Sequence, residues 1–592
     1  MTRTVMVVLA AIFVTAFAGA SSAYIGLDEV SPGMTGYGLT VVAGDELVEF
    51  DVEVVGVVHA PGDGQNFIAI RASGEAIERS GGIAQGMSGS PVYLDGRLAG
   101  ALSRAAIWTA TPDRPLGLVT PIEDMLEVLA EVRDEPPSEP RFPPEEPTPP
   151  EDTAPDIAEG KLYGAALHHW PLQTPPVLAA GLSSRAIRAL REGFRLDALD
   201  SPLTQLLPSW AASFPGLEEL GISRVIDAPG VSTSTTWELR PGGPVGVSLM
   251  VGDMHIGSLG TVTEVDGAAL VAMGHHFLFS GPSRYFLTQA EILDTVQALN
   301  APFKFGMLGD IEGGIYADRW AAVGGRTGVP PQGIDVAVQI RDLSHPDERI
   351  SSLRTTMARE PRLQPLLLYL AGLEATDRGL DRRGAGTVSV RYEIEGDGMP
   401  HALSLSNVFL STQDVAVYAS LEAAMILNIL QYNEFQDPAL TSVHLEAEVS
   451  KEFRVTEITD LSVHGQAFGP GDIVPFTVYG RDWRGEERSW SGELRIPPRV
   501  DGPYVELRAY GGPRPLEKGE APPVMESLED LLGYIERVPG NDTLTVELFA
   551  TDPLTQLTGV EHLVGVDGRT LQVPETVVVG EISLYIPLEQ ED

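Results

Sequence analysis

From Gly38 to about Leu102 the chain alternates apolar and polar residues in short runs, "GLTVVAG", "VEFDVEVVGVV", "FIAIRA" and "PVYLDGRLAGALS". Successive side chains of a strand point to opposite faces, so this period predicts half-buried antiparallel strands of a barrel or sandwich. Asp95-Gly96 predicts a two-residue hairpin turn, since both positions tolerate positive φ. In "PIEDMLEVLAEV", residues 121–132, the apolar spacing becomes helical, with Pro121 suited to the first turn. A second β-rich block runs from Val245 to about Ala337, with Asp266-Gly267 as another hairpin turn and a strand ending at His275. Helical spacing predicts helices over 350–376 and 414–433. Alternation returns from Ser442 to Leu507, and "SLEDLLGYIERV" predicts a late helix before terminal strands.

At 592 residues the chain exceeds what one core can serve, so three or more domains are expected. Residues 134–157, "DEPPSEPRFPPEEPTPPEDTAPDI", are proline-rich and acidic, which predicts an extended linker. The first residues place Arg3 before an apolar run from Val5 to Phe17 and then small residues up to Ala23. This is the pattern of a secretory signal peptide, an uncleaved anchor being the competing reading. The formal net charge of -43 repels phosphate backbones and anionic headgroups, so nucleic acid is not an expected partner. With no cysteine in the chain, disulfides and thiolate chemistry are excluded. No metal or cofactor is expected, since neither "HExxH" nor "GxxxxGK" followed by Ser or Thr occurs.

The stretch "SGGIAQGMSGSPVYLDGRLAGALS", residues 80–103, sets Ser88 between glycines ahead of a hairpin. A nucleophilic serine needs a base for its proton and donors for the oxyanion, and flanking glycines let the backbone bend sharply toward the substrate oxygen. A tight turn rich in small residues is the plainer reading of the six positions Gly86-Met87-Ser88-Gly89-Ser90-Pro91 taken alone.

The longer context resembles a known pattern. "GMSGSPVYLDGRLAGALS" is similar to the trypsin succession of Ser-Gly-Gly-Pro, strand, turn and strand. More closely, "GGIAQGMSGSP" with its Asp-Gly hairpin, together with "VEFDVEVVGVV" upstream, resembles the sporulation stage IV B (SpoIVB) serine peptidase family. The resemblance implies Ser88 as nucleophile, with the backbone N–H groups of Gly86 and Ser88 as oxyanion donors and Ser90 in a structural role. It also implies a base in "GAALVAMGHH", where His275 matches the family's strand-end histidine. Adjacent strand residues point to opposite faces, so His275 and His276 cannot both enter one cleft. His59 and the pair His168-His169 read as surface or loop residues. Where the family has an aspartate fifteen residues before its nucleophile, this chain has Ser73. Asp310, in a "GDI" stretch that also resembles the family, is the candidate orienting acid, with a turn or capping role as its alternative.

The expected fold is therefore mainly β with α/β parts: a trypsin-like double β-barrel peptidase unit, serine half before histidine half and so circularly permuted, plus C-terminal mixed and sandwich-like segments. Its expected divisions are a signal peptide (1–23), a serine-bearing barrel half (24–133), a linker (134–160), a connecting segment (161–230), a histidine-bearing barrel half (231–345), a mixed helical segment (346–440) and a β-rich accessory domain (441–592). The expected function is an exported serine endopeptidase acting on a protein or peptide substrate. The alternative is a catalytically inactive protease-like scaffold of the cell envelope.

Overall fold

A computed structural model describes residues 23–59, 65–106, 111–133, 176–196, 201–207, 211–222, 224–233, 237–298, 301–465, 467–514, 524–551 and 563–589. The expected signal peptide up to Ser22 and the linker lie outside the described residues.

In the first block, β1 (Thr35–Val41), β2 (Leu47–Val58), β3 (Phe67–Ser73), β4 (Pro91–Leu94), β5 (Arg97–Ala105) and β6 (Leu116–Pro121) close into a barrel of order β1-β2-β3-β6-β5-β4. The alternation in β2 has its expected result: Val48, Phe50, Val52 and Val54 are buried while Glu49, Asp51 and Glu53 are exposed. Gly38 pairs with Phe50 across β1 and β2, and a Cβ at Gly38 would lie 2.1 Å from Phe50 Cζ. The missing side chain is what lets the ring cross the strand. A short helix α1 (Glu75–Ser80) leads into the Ser88 turn. A longer helix α2 (Ile122–Arg133) buries Ile122, Met125, Val128, Leu129 and Val132 in one cluster with Ala269, Val271, Tyr316 and Ala317, tying the barrel to the block that follows.

That block is a 13-stranded sheet containing β7 (Val177–Ala180), β10 (Val225–Asp227), β11 (Pro244–Gly252), β12 (His255–Asp266), β13 (Ala269–Ala272), β14 (Gly281–Val296), β15 (Phe303–Asp318), β16 (Val323–Thr327), β17 (Ile334–Asp342), β18 (Arg349–Met357), β19 (Gly386–Gly396), β20 (Leu403–Ser411) and β21 (Leu440–Ser450). A separate ribbon joins β8 (Phe194–Arg195) to β9 (Ser213–Phe214). Within the large sheet β11 pairs with both β12 and β14, so β11-β12-β13-β16-β15-β14 closes into a second six-stranded ring. Counted from its own first strand, each ring has the same order, first-second-third-sixth-fifth-fourth. The sheet continues past the divisions expected at 345 and 440, because β18 pairs with β11 and β17 pairs in parallel with β21.

The helix expected over 350–376 is corrected at its start. Residues 349–357 form β18, whose Leu353, Thr355 and Met357 are buried at period two, and the helix runs only over Gln364–Leu380. Pairing with β17 and β11 overrides the local spacing. Residues 455–587 form two four-stranded sheets, β24 (Glu487–Arg495), β23 (Ile473–Asp482), β22 (Val455–Val463) and β28 (Val577–Val579) in one, and β27 (Leu563–Gln572), β26 (Thr543–Thr551), β25 (Asp501–Gly511) and β29 (Glu581–Pro587) in the other, around a shared core.

If the Phe50 ring depends on the bare backbone at Gly38, Gly38→Val should destabilise the first barrel by about 1–3 kcal/mol through overpacking. Urea unfolding of wild type and variant measures this, and an unchanged midpoint would mean that the ring can move aside.

Candidate active site

The Ser88 turn is built from backbone hydrogen bonds. Met87 N donates to Ala84 O (3.0 Å), Ser90 N to Met87 O (2.9 Å) and Gly89 N to Leu102 O on β5 (2.8 Å). Gly86 and Gly89 take φ of 93° and 92°, left-handed values that a side chain would strain. Both carbonyls flanking Met87-Ser88 are held by one residue of the second ring: Thr261 Oγ1 donates to Gly86 O (2.8 Å), and Thr261 N donates to Ser88 O (3.0 Å). The N–H groups of Gly86 and Ser88 have no acceptor among the described residues. Ser88 and Ser90 are both buried, and neither hydroxyl has a hydrogen-bond partner among the described residues.

The histidine side is fixed from the first barrel. After β13 the chain turns through Met273 and Gly274, with φ of 70° and 68°, and Thr120 Oγ1 on β6 donates to Gly274 O (2.7 Å). A Cβ at Gly274 would lie 3.3 Å from Leu102 O, the oxygen that also accepts from Gly89 N. Ser88 and His275 are thus each adjacent in sequence to a glycine packed on the same carbonyl. His275 is 2% exposed, and its Nδ1 lies 2.6 Å from His276 O. A carbonyl only accepts, so Nδ1 carries the proton and Nε2 the lone pair in the neutral ring. His276 points elsewhere: its ring stacks on Trp320 at 5.5 Å and tilts against Phe279. Desolvation by burial, with Arg104 nearby, pushes its pKa down to about 4. Phe279 and Trp320, 58% and 44% exposed, line a cavity of about 790 Å³ together with Asp124, Glu127 and the ion pair Glu131–Arg319.

Asp310 is exposed on β15, and the Nδ1 hydrogen bond of His275 goes to a carbonyl instead. A different acid organises this region. Asp318, fully buried at the end of β15, accepts from the amides of Phe277 (2.7 Å), Leu278 (2.8 Å) and Ser280 (3.2 Å), and so holds the loop after His276. Desolvation by burial raises its pKa. Sequence reasoning missed Asp318, Thr120 and Thr261. The one available signal was Asp318 itself, a lone acid closing the apolar run "GGIYAD". His59 is exposed, and His168-His169 lie outside the described residues.

A serine–histidine hydrogen bond does occur, but between other residues. Ser248 Oγ lies 3.1 Å from His255 Nε2 and 2.9 Å from Thr288 Oγ1, all three buried on neighbouring strands of the second ring. Lacking a turn that offers amides, this trio is a polar element of the core. Burial lowers the His255 pKa to about 4. Between the unfolded value near 6.5 and this folded value, the unfolded chain binds a proton that the native chain does not, so stability falls as pH drops through that window. At pH 5 His255 alone should cost about 2 kcal/mol relative to pH 7. His255→Gln should flatten the stability profile by that amount in urea titrations at the two pH values, and an unflattened profile would place the acid sensitivity elsewhere.

No curated protein matches the chain. The family described as SpoIVB peptidase S55 matches residues 21–126, a segment that contains the first barrel and Ser88 but neither the second ring nor His275. Over residues 21–126, then, the chain is similar to the SpoIVB peptidase family.

Proposed function

We propose that the protein is an exported serine endopeptidase, with Ser88 as nucleophile and His275 as general base and then acid. The two six-stranded rings are read as the barrels of a trypsin-like unit, permuted so that the serine ring comes first. The observation that carries this reading is the Ser88 turn. The carbonyls of Gly86 and Ser88 are held by Thr261, and the amides of the same two residues, Gly86 N–H and Ser88 N–H, are left without acceptors among the described residues. Donors arranged this way before the reaction stabilise the negative oxygen that forms when a hydroxyl attacks a carbonyl.

In this mechanism Ser88 Oγ attacks the scissile carbonyl while its proton passes to His275 Nε2. The tetrahedral intermediate then collapses as His275 returns the proton to the leaving amine, and water repeats the sequence on the acyl-enzyme. The His276 carbonyl takes over one duty of a triad aspartate, fixing the Nδ1-protonated tautomer, without supplying its charge. Asp310 is exposed, and any orienting role for it requires contact in the substrate complex. Peptide is proposed to approach along the exposed Phe279 and Trp320. Export rests on residues 1–23; among the described residues no helix is long and apolar enough to cross a membrane.

Ser88 is enclosed, which favours the inactive-scaffold reading if nothing displaces its cover. A fluorophosphonate probe separates the two. Wild type should be labelled, Ser88→Ala should not, His275→Ala should slow labelling at least ~100-fold, and Ser90→Ala should change it by less than about threefold. Folded wild type that resists the probe across pH would make the protein a scaffold.

A further inference from the structure

Lys304 lies on β15 beneath the Ser88 turn and is 1% exposed. Its backbone N–H donates to Gln85 O (2.8 Å), and Gln85 N donates back to Pro302 O (2.7 Å), so this strand is bound to the residue preceding Gly86. The aliphatic stem runs along the turn. A Cβ at Gly86 would lie 3.1–3.2 Å from Lys304 Cβ, Cγ and Cδ, so a side chain there would press on the stem and displace it by a few tenths of an ångström. The amine ends between the two rings, donating to Thr40 Oγ1 on β1 (2.9 Å) and to Thr261 Oγ1 on β12 (3.1 Å). Thr261 Oγ1 in turn donates to Gly86 O.

Among the described residues no carboxylate takes part. Burial alone lowers the Lys304 pKa to about 7, and the amine donates to two hydroxyls. Retaining a lysine in such a place costs desolvation that an apolar residue of similar length would avoid. The geometry offers one return for that cost: a continuous relay of hydrogen bonds from Lys304 through Thr261 to the peptide group that lies between the two oxyanion amides.

We propose that Lys304 is a positioning residue of the peptidase site, holding the Gly86 carbonyl through Thr261 so that the amides of Gly86 and Ser88 stay directed at the oxyanion. This rests on the serine peptidase reading. Lys304 need not touch substrate; losing it lets the 86–87 peptide rotate, which weakens oxyanion stabilisation while leaving the nucleophile and base in place. Loss of one oxyanion donor costs about 10²–10³ in rate.

The test is the second-order rate of fluorophosphonate labelling of the full chain, with native-like circular dichroism required of each variant. Lys304→Met and Thr261→Val should each label at least tenfold more slowly than wild type. Thr261→Ser, which keeps the hydroxyl and loses only a methyl group, should stay within about threefold. A purely structural role for Thr261 would not separate Ser from Val in this way. If Lys304→Met does not fold, the Thr261 pair decides alone. Labelling of Lys304→Met or Thr261→Val at the wild-type rate would overturn the positioning role and leave the peptidase reading standing. Failure of wild type itself to label overturns that reading, and the role of Lys304 in it falls as well.

Discussion

Everything proposed for the site depends on one backbone contact. A Cβ at Gly89 would lie 1.9 Å from Thr261 O and 2.5 Å from Met273 N, so the Ser88 turn lies directly against β12 and the start of the His275 turn, with no room for a side chain. Around it, Thr261 and Thr263 bond Gly86 O and Gly89 O, each at 2.8 Å. Two residues apart on a strand, these threonines share a face and span about 6.6–6.8 Å, a distance that suits the turn's carbonyls. The first barrel answers with Thr120 on Gly274 O. Each ring thus holds the other's turn, that of Ser88 or of His275, through a threonine hydroxyl on a carbonyl, and neither turn is fixed by its own ring alone.

This mutual arrangement explains what could be read from the sequence. Strand alternation, the Asp-Gly hairpins and the α2 periodicity are local, and β2 and α2 follow them residue by residue. The Ser88 turn is legible for the same reason, since its glycines are demanded by positive φ at 86 and 89. Thr261, Thr120 and Lys304 are not legible, because their roles come from contacts across 175, 154 and 264 residues. A threonine in an alternating strand looks like any other β-former. The β18 segment failed for a related reason: "RISSLRTTM" is locally ambiguous, and pairing with β17 on one edge decides it.

Charge is treated consistently around the turn. Burial lowers the pKa of His276, Lys304 and Arg104, so each cation there is less stable than in water. The groups that bond the two turns are hydroxyls, amides and carbonyls. Carboxylates appear at the rim, in Asp124 and Glu127 along the cavity, or are fully engaged by amides, as Asp318 is. A site of this composition presents fixed dipoles rather than fixed charges, which in a region screened from water need little reorganisation during reaction.

In the proposed mechanism such a site must still create two charges when Ser88 attacks, an oxyanion at the turn and an imidazolium at His275. With a carbonyl at Nδ1 instead of a carboxylate, the imidazolium gains orientation but little electrostatic support. Its principal counter-charge is then the oxyanion formed in the same step. At about 4 Å and an effective dielectric constant near 20, that attraction is of order 4 kcal/mol, much more than the pair would feel in water. In the proposed mechanism the enclosure of Ser88 and His275 therefore acts in two directions, delaying entry of substrate while strengthening the one ion pair the reaction makes. On this account the missing aspartate and the buried nucleophile belong to one design, in which tautomer comes from a carbonyl, oxyanion binding from two amides, and charge balance from the transition state itself.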